Sequence, residues 1–414
     1  MTESTVATAT SFSDLGVTDS IVSALSDIGI TTPFPVQVMT IPDGLDGRDV
    51  CGKAQTGSGK TLAFGIPLAE RTPRSRPHTP GALVLVPTRE LCVQVTADLK
   101  VVTDATGLRV MSVYGGAPMG RQIDKLKKGV DIVVATPGRL IDLMERRHVS
   151  VAEVVRVVLD EADQMADMVF LPQVMKVLDA IEGEHQTMLF SATLDGQVGT
   201  IVKRYLTDPV RHEVESKTEL VDEAEHRFLL VHHMDKAKIV GAITAGVQKT
   251  LVFVRTKRGA DRVATNLRNE GVDAKAIHGD LRQSERQRTL DRLASGDLPV
   301  LVATNLAARG LHIDDIDVVI HFDPPDDYKS FIHRSGRTAR AGESGLVVTL
   351  VEWDQVKEVE RLQMASGLNQ EIVKMFSNDQ RLADLEDFEP DSKEFKRLSN
   401  AQLSRQVGRR RRRR

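Results

Sequence analysis

Short apolar, β-branched runs alternate along this chain with segments whose apolar residues recur at helical spacing. The runs 82–86, 109–114, 131–135, 155–160 and 187–190 predict strands, and 49–51 leads into a glycine-rich turn in the same style. After residue 226 the rhythm resumes at 228–232, 250–254, 274–277, 300–303, 318–321 and 346–351. Amphipathic stretches separate them. In 89–103, for example, Leu91, Val95 and Leu99 fall on one helical face. Strands that are apolar without alternation are covered on both faces, so the pattern predicts parallel sheets clothed by helices. Two α/β halves follow, each with its ligand-bearing loops beyond the carboxyl ends of its strands.

The seam between the halves is expected at 207–226, which opens with Asp208-Pro209 and is rich in Glu and Asp. The expected organisation is a flexible 1–11, a first domain over 12–206, that linker, a second domain over 227–376, and a polar tail over 377–414. The tail is predicted to be disordered and ends in the unbroken arginine run 409–414. At 414 residues the chain is too long for one ordinary core, which agrees with two domains.

Composition narrows the picture further. Hydrophobic residues make up 41% and charged residues 27%, as in a globular protein. Aromatic residues are only 4%, so few side chains are available to stack bases, and a nucleic acid would be gripped by its backbone. The net charge of -3 does not exclude such a partner, because the sum hides the local basic run. Cys51 and Cys92 are too few for a disulfide framework or a cysteine zinc site and are expected to be packing residues. No run has the length of a membrane span, and a reducing cytoplasm is the expected location.

Three segments carry chemistry. Ala54-Gln55-Thr56-Gly57-Ser58-Gly59-Lys60-Thr61 lies between an apolar run and a helical pattern, the context of a phosphate cradle. Its glycines let backbone N–H groups approach phosphate oxygens, Lys60 would bind the outer phosphates, and the Thr61 hydroxyl would ligate Mg²⁺. Ala54 stands where the general pattern has glycine. Asp160-Glu161 closes a buried-type strand. Acidic residues there also serve as solvated caps, but this placement suits Asp160 to hold Mg²⁺ through water and Glu161 to aim an attacking water. His333 to Arg340 packs three arginines and a histidine into eight positions. Ser335-Gly336 interrupts any basic helix face there, which leaves Arg337 and Arg340 as candidate arginine fingers for phosphoryl transfer. Ser191 and Thr193 follow another strand, where they either cap a helix or serve the site.

Together these segments resemble the DEAD-box RNA helicases of superfamily 2 over roughly residues 12–376. Phe12, ahead of Gly29-Ile30 and Pro33-Phe34-Pro35-Val36-Gln37, resembles that family's adenine-reading element, which implies ATP contacts for Phe12 and Gln37. Pro87 to Leu91, Gly115-Gly116 and Thr136 to Arg139 resemble loops that touch the RNA backbone, implying Arg89, Gly116, Thr136 and Arg139. Phe253 to Thr256 resembles a further motif. His278-Gly279-Asp280 with Gln283 to Arg286, and Ala303-Thr304-Asn305, imply RNA contacts for Gly279, Arg286 and Thr304. By the same resemblance His333 joins the catalytic set, and Ser191 and Thr193 couple hydrolysis to strand separation. The resemblance implies two RecA-like domains that close over ATP and single-stranded RNA and reopen on phosphate release. A non-hydrolysing RNA clamp and a DNA helicase are the competing readings. The chain departs from the family pattern at Ile30, Phe34, Asn305 and His312, and the last of these is expected to loosen the grip on the ATP ribose.

Overall fold

The computed structural model of the chain describes residues 11–54, 57–166, 170–194, 196–214, 224–308, 316–338, 345–383 and 385. The chain divides into two compact units, Met1–Ser216 and Lys217–Arg414. The first holds strands β1 (Val50–Lys53), β2 (Ala82–Leu85), β3 (Val110–Val113), β4 (Ile132–Ala135), β5 (Arg156–Asp160), β6 (Gln186–Ser191) and β7 (Val210–Glu213). The second holds β8 (Ala224–Leu230), β9 (Thr250–Val254), β10 (Ala274–Ile277), β11 (Val300–Thr304), β12 (Val318–His321), β13 (Gly345–Val351) and β14 (Ile372–Lys374).

Each unit contains one seven-stranded sheet, in the orders β3-β4-β2-β5-β6-β1-β7 and β10-β11-β9-β12-β13-β8-β14. Subtracting seven from each number of the second order returns the first, so the two units repeat one topology. All the pairings are parallel. Alternate residues of one strand enter opposite cores. In β2, Ala82 and Val84 join the cluster around Phe12, Phe64 and Phe190, while Leu83 and Leu85 join that around Val133, Leu140 and Leu159. Both faces are therefore dry, which is why the strands read as continuous apolar runs. Each fully buried aliphatic side chain contributes about 1.5–3 kcal/mol relative to exposure.

Two expectations are corrected. The stretch expected to be a linker, 207–226, contains β7 at one end and the start of β8 at the other. β7 pairs with β1 in register, Val50 opposite Val210, although its side chains alternate between half-buried and exposed. That edge position explains why no apolar run announced it. The second unit also runs past residue 376. Leu382 and Leu385 are buried in the core of Val252, Ile320 and Val348, and a 3-10 turn, Gln380–Ala383, carries Leu382. The arginine run 409–414 lies outside the described residues.

Candidate functional site

Strand order decides which loops become neighbours. β5, β6 and β1 are adjacent, so Asp160, Ser191 and Ala54 sit at or just beyond three neighbouring carboxyl ends. The Ala54 N–H donates to the Ser191 carbonyl at 3.0 Å, which ties the entrance of the cradle to β6. On the other side of the same edge, β3, β4 and β2 carry Gly116, Thr136 with Arg139, and Arg89. The second unit repeats the division. Gly279 and Thr256 follow β10 and β9, Thr304 ends β11, and His333 lies on the helix Tyr328–Ser335 after β12.

The cradle enters the helix Lys60–Arg71 through Gly59, at φ 85°, and Gly57 sits at φ 88°. Both lie in the left-handed region, where glycine carries no Cβ penalty. A Cβ on Gly59 would also fall 2.5 Å from Gln37 Nε2 and 2.8 Å from the Phe34 ring. Lys60 is buried, and its ammonium donates to the Ala54 carbonyl at 3.3 Å across the mouth of the turn. Gln55 and Thr56 lie outside the described residues, Ser58 is half-buried, and the half-buried Thr61 follows Lys60 in the first helical turn.

Gln37 braces this turn. Its Oε1 accepts from the Phe34 N–H at 2.8 Å, and its Nε2 donates to the Gly59 carbonyl at 2.9 Å. An adenine contact through Gln37 therefore has one N–H and one lone pair left to use. Phe12 is 1% exposed within the first core. Phe12, an expected ATP contact, packs in the same core cluster as Phe64 and Phe190.

Asp160 and Glu161 are each 3% exposed. Burial raises the Asp160 carboxyl above the usual carboxylate range, while the Lys60 charge and a 2.9 Å bond from the Glu161 N–H pull it back. Glu161 sits at φ 53°, left-handed without being glycine. Such strain costs on the order of 1–3 kcal/mol and clusters at functional sites. Gln164, one turn on in the helix Ala162–Met165, donates to Glu161 Oε2 at 2.5 Å. Sequence reasoning missed Gln164; its only signal was the three-residue spacing from the acidic residue. Ser191 is fully buried, and its hydroxyl accepts from the Asp163 N–H at 3.1 Å and the Thr193 N–H at 3.3 Å. Ser191 thus touches the acidic segment directly, and Thr193 reaches it only through Ser191.

On the other half of the edge, Thr88 caps the helix Arg89–Thr106, accepting from the Leu91 N–H, and leaves Arg89 half-buried beside Gly115. Gly116 is exposed at φ 88°, and Arg139 donates to the Ala117 carbonyl at 3.2 Å. Thr136 is half-buried and bonds through its N–H to the Val113 carbonyl. In the second unit Gly279 is exposed, and Thr304 ends β11 with 7% exposure. Arg286 is 6% exposed, with Nη2 directed at the Ala307 carbonyl at 3.5 Å. Arg337 is buried and His333 half-buried, while Arg340 and His312 lie outside the described residues.

The donor set suits Mg²⁺ of a particular kind. Among the described residues no group of three or more His, Cys, Asp or Glu side chains is arranged to hold a metal. One carboxylate and one hydroxyl match an ion that keeps its waters and is held chiefly by phosphates.

One parallel-sheet unit is repeated, with a glycine turn and a buried lysine in the first copy and an arginine cluster in the second. The DEAD/DEAH box helicase family matches residues 34–201, and the helicase conserved C-terminal domain matches 235–342. The chain is 40% identical over 357 residues to the DEAD-box ATP-dependent RNA helicase CshA of Bacillus licheniformis, covering 84% of this chain and 73% of that one. It is 41% identical over 354 residues to DEAD-box ATP-dependent RNA helicase 30 of Arabidopsis thaliana, covering 84% of this chain and 60% of that protein. Among solved structures, S. cerevisiae Dbp5 bound to RNA and ADP BeF3 superimposes with a TM-score of 0.79 and 26% identity over 90% of this chain and 97% of that one. This chain belongs to the DEAD-box ATP-dependent RNA helicases, and its two units have the RecA-like fold.

Proposed function

We propose that the chain separates short RNA duplexes or remodels RNA–protein contacts, with ATP turnover stimulated by single-stranded RNA. The observation that carries this is the strand order, which gathers Ala54, Asp160 and Ser191 at the ends of β1, β5 and β6 and sets Gly116, Thr136 and Arg89 beyond β3, β4 and β2. ATP would lie in the cradle of Ala54, Gly57, Ser58, Gly59, Lys60 and Thr61, with Gln37 holding the turn in shape. Thr61 and Asp160 would hold Mg²⁺, which supplies charge neutralisation at the phosphates when bound. Glu161 orients the attacking water and accepts its proton. Arg337 and Arg340 stabilise the charge that spreads over the transferring phosphoryl group, with His333 beside them.

Arg89, Gly116, Thr136, Arg139, Gly279, Arg286 and Thr304 would meet sugar and phosphate, so little base specificity is expected from the core. Ser191, bonded to the Asp163 and Thr193 N–H groups, carries changes at the acidic segment to its neighbouring loop. The cytoplasm is the proposed location. Both cysteines are buried free thiols, pushed by burial to about 11 for Cys51 and about 12 for Cys92, so neither is poised for oxidation. The test is duplex unwinding measured beside ATP turnover, with RNA and DNA strands of one sequence. Unwinding that requires ATP and an RNA strand supports the reading. Turnover without strand separation, or equal stimulation by DNA, contradicts it.

A further inference from the structure

Arg334 is a buried guanidinium, 4% exposed, in the middle of the arginine cluster. Burial lowers its pKa to about 10, against the pull of Asp323, Asp326 and Asp327, so it stays charged at neutral pH. A charge in such a place needs its donors satisfied. Nε donates to Asn305 Oδ1 at 2.6 Å, and Nη1 donates to the Asp323 carbonyl at 2.8 Å. The guanidinium also lies over the Phe253 ring, 5.2 Å from its centroid. Asp323 in turn accepts from the Arg255 N–H through Oδ2 at 2.8 Å. Arg334 therefore ties together the carboxyl ends of β9, β11 and β12.

The partner at β11 is the informative one. Asn305 directly follows Thr304, a residue assigned to RNA, while Arg334 lies between His333 and Arg337 on the phosphate side. We propose that Asn305 is a positioning residue that transmits RNA engagement at Thr304 to the arginine cluster through its bond to Arg334. The amide is neutral, so this contact is an ion–dipole bond rather than an ion pair. It holds the cluster in register while leaving the link between the two halves of the edge able to give. The proposal rests on the assignment of Thr304 to RNA and of Arg337 to phosphate.

The test uses the full chain, ATP and an oligouridine single strand. Asn305→Leu removes the acceptor and leaves the guanidinium Nε without its partner. It is expected to cut turnover at saturating RNA about tenfold and raise the RNA concentration for half-maximal stimulation, as loss of a bond to a charged group implies. KM for ATP should move less than about twofold on the same ground, because the bond does not touch the cradle. Arg334→Lys, which keeps charge but not Nε, should reproduce the defect. Asn305→Asp restores an acceptor and should recover turnover to the wild-type level or above. Thermal melting of each variant separates this from unfolding: a lost melting transition in Asn305→Leu shifts the decision to Arg334→Lys and Asn305→Asp. Wild-type stimulation in Asn305→Leu, or an equal defect in Asn305→Asp, would overturn the proposal. Thr304→Val and Arg337→Ala distinguish the two levels. If those retain full RNA-stimulated turnover, the site assignment itself fails; if they lose it while Asn305→Leu does not, only the link fails.

Discussion

Glu161 holds a left-handed backbone at φ 53° while its carboxylate accepts from Gln164. The strained turn fixes the direction of this one buried side chain. Glu161→Gln should therefore leave ATP and RNA affinity near wild type while slowing turnover by about 10²–10⁴-fold, the usual contribution of a positioned base. Single-turnover hydrolysis beside equilibrium binding checks this, and hydrolysis at the wild-type rate would dismiss the role. Gly59 makes a different kind of prediction. Its positive φ and the 2.5 Å approach to Gln37 Nε2 leave no room for a methyl group. Gly59→Ala should break the Gln37 brace and weaken ATP binding at least as far as Lys60→Ala does, by titration with a fluorescent ATP analogue.

At the scale of elements, the central strands were legible because both their faces are dry. Runs such as Val300–Thr304 and Gly345–Val351 carry few polar interruptions. β7 was not legible, since its residues are half-buried or exposed at a sheet edge, and β14 is only three residues long. The cradle, the acidic pair and the arginine cluster could be read from residue type and spacing. The bonds of Gln164, Asn305 and Arg334 could not, because they depend on which strand ends are neighbours. Another consequence of strand order is a buried imidazole. His321 at the end of β12 bonds Thr349 Oγ1 on β13 through Nδ1 at 3.1 Å, edge-on to Phe331, with Nε2 buried and lacking a hydrogen-bond partner. Burial first, then the Arg334 and His226 charges, hold its pKa well below the usual imidazole value. The unfolded chain thus binds a proton more readily than the folded one. Stability from this group is full above an unfolded pKa of about 6.5 and is lost as pH falls below it toward the depressed folded value. The melting temperature should drop through that window, and His321→Leu should flatten the drop; an unchanged acid limb in the variant would assign the effect elsewhere.

For the whole molecule, the strand order is duplicated, and under the proposed function each edge divides between phosphate and RNA and the chemistry of one unit depends on residues of the other. The arginine run 409–414 adds a separate prediction. If it meets RNA, its removal should flatten the slope of log affinity against log salt by about 0.7 for each phosphate it had neutralised. Turnover at saturating RNA should be spared, and an unchanged slope would leave the run without this role. The central claim is that a nucleotide held by the first unit is hydrolysed only with Arg337 of the second. It is tested most directly by comparing the full chain with its Arg337→Ala variant at saturating RNA, measuring ATP affinity and turnover on the same preparations. The account predicts affinity within a few-fold of wild type and turnover lower by about 10³–10⁵. Turnover at the wild-type rate, or a loss of affinity that accounts for the whole loss of turnover, would contradict it.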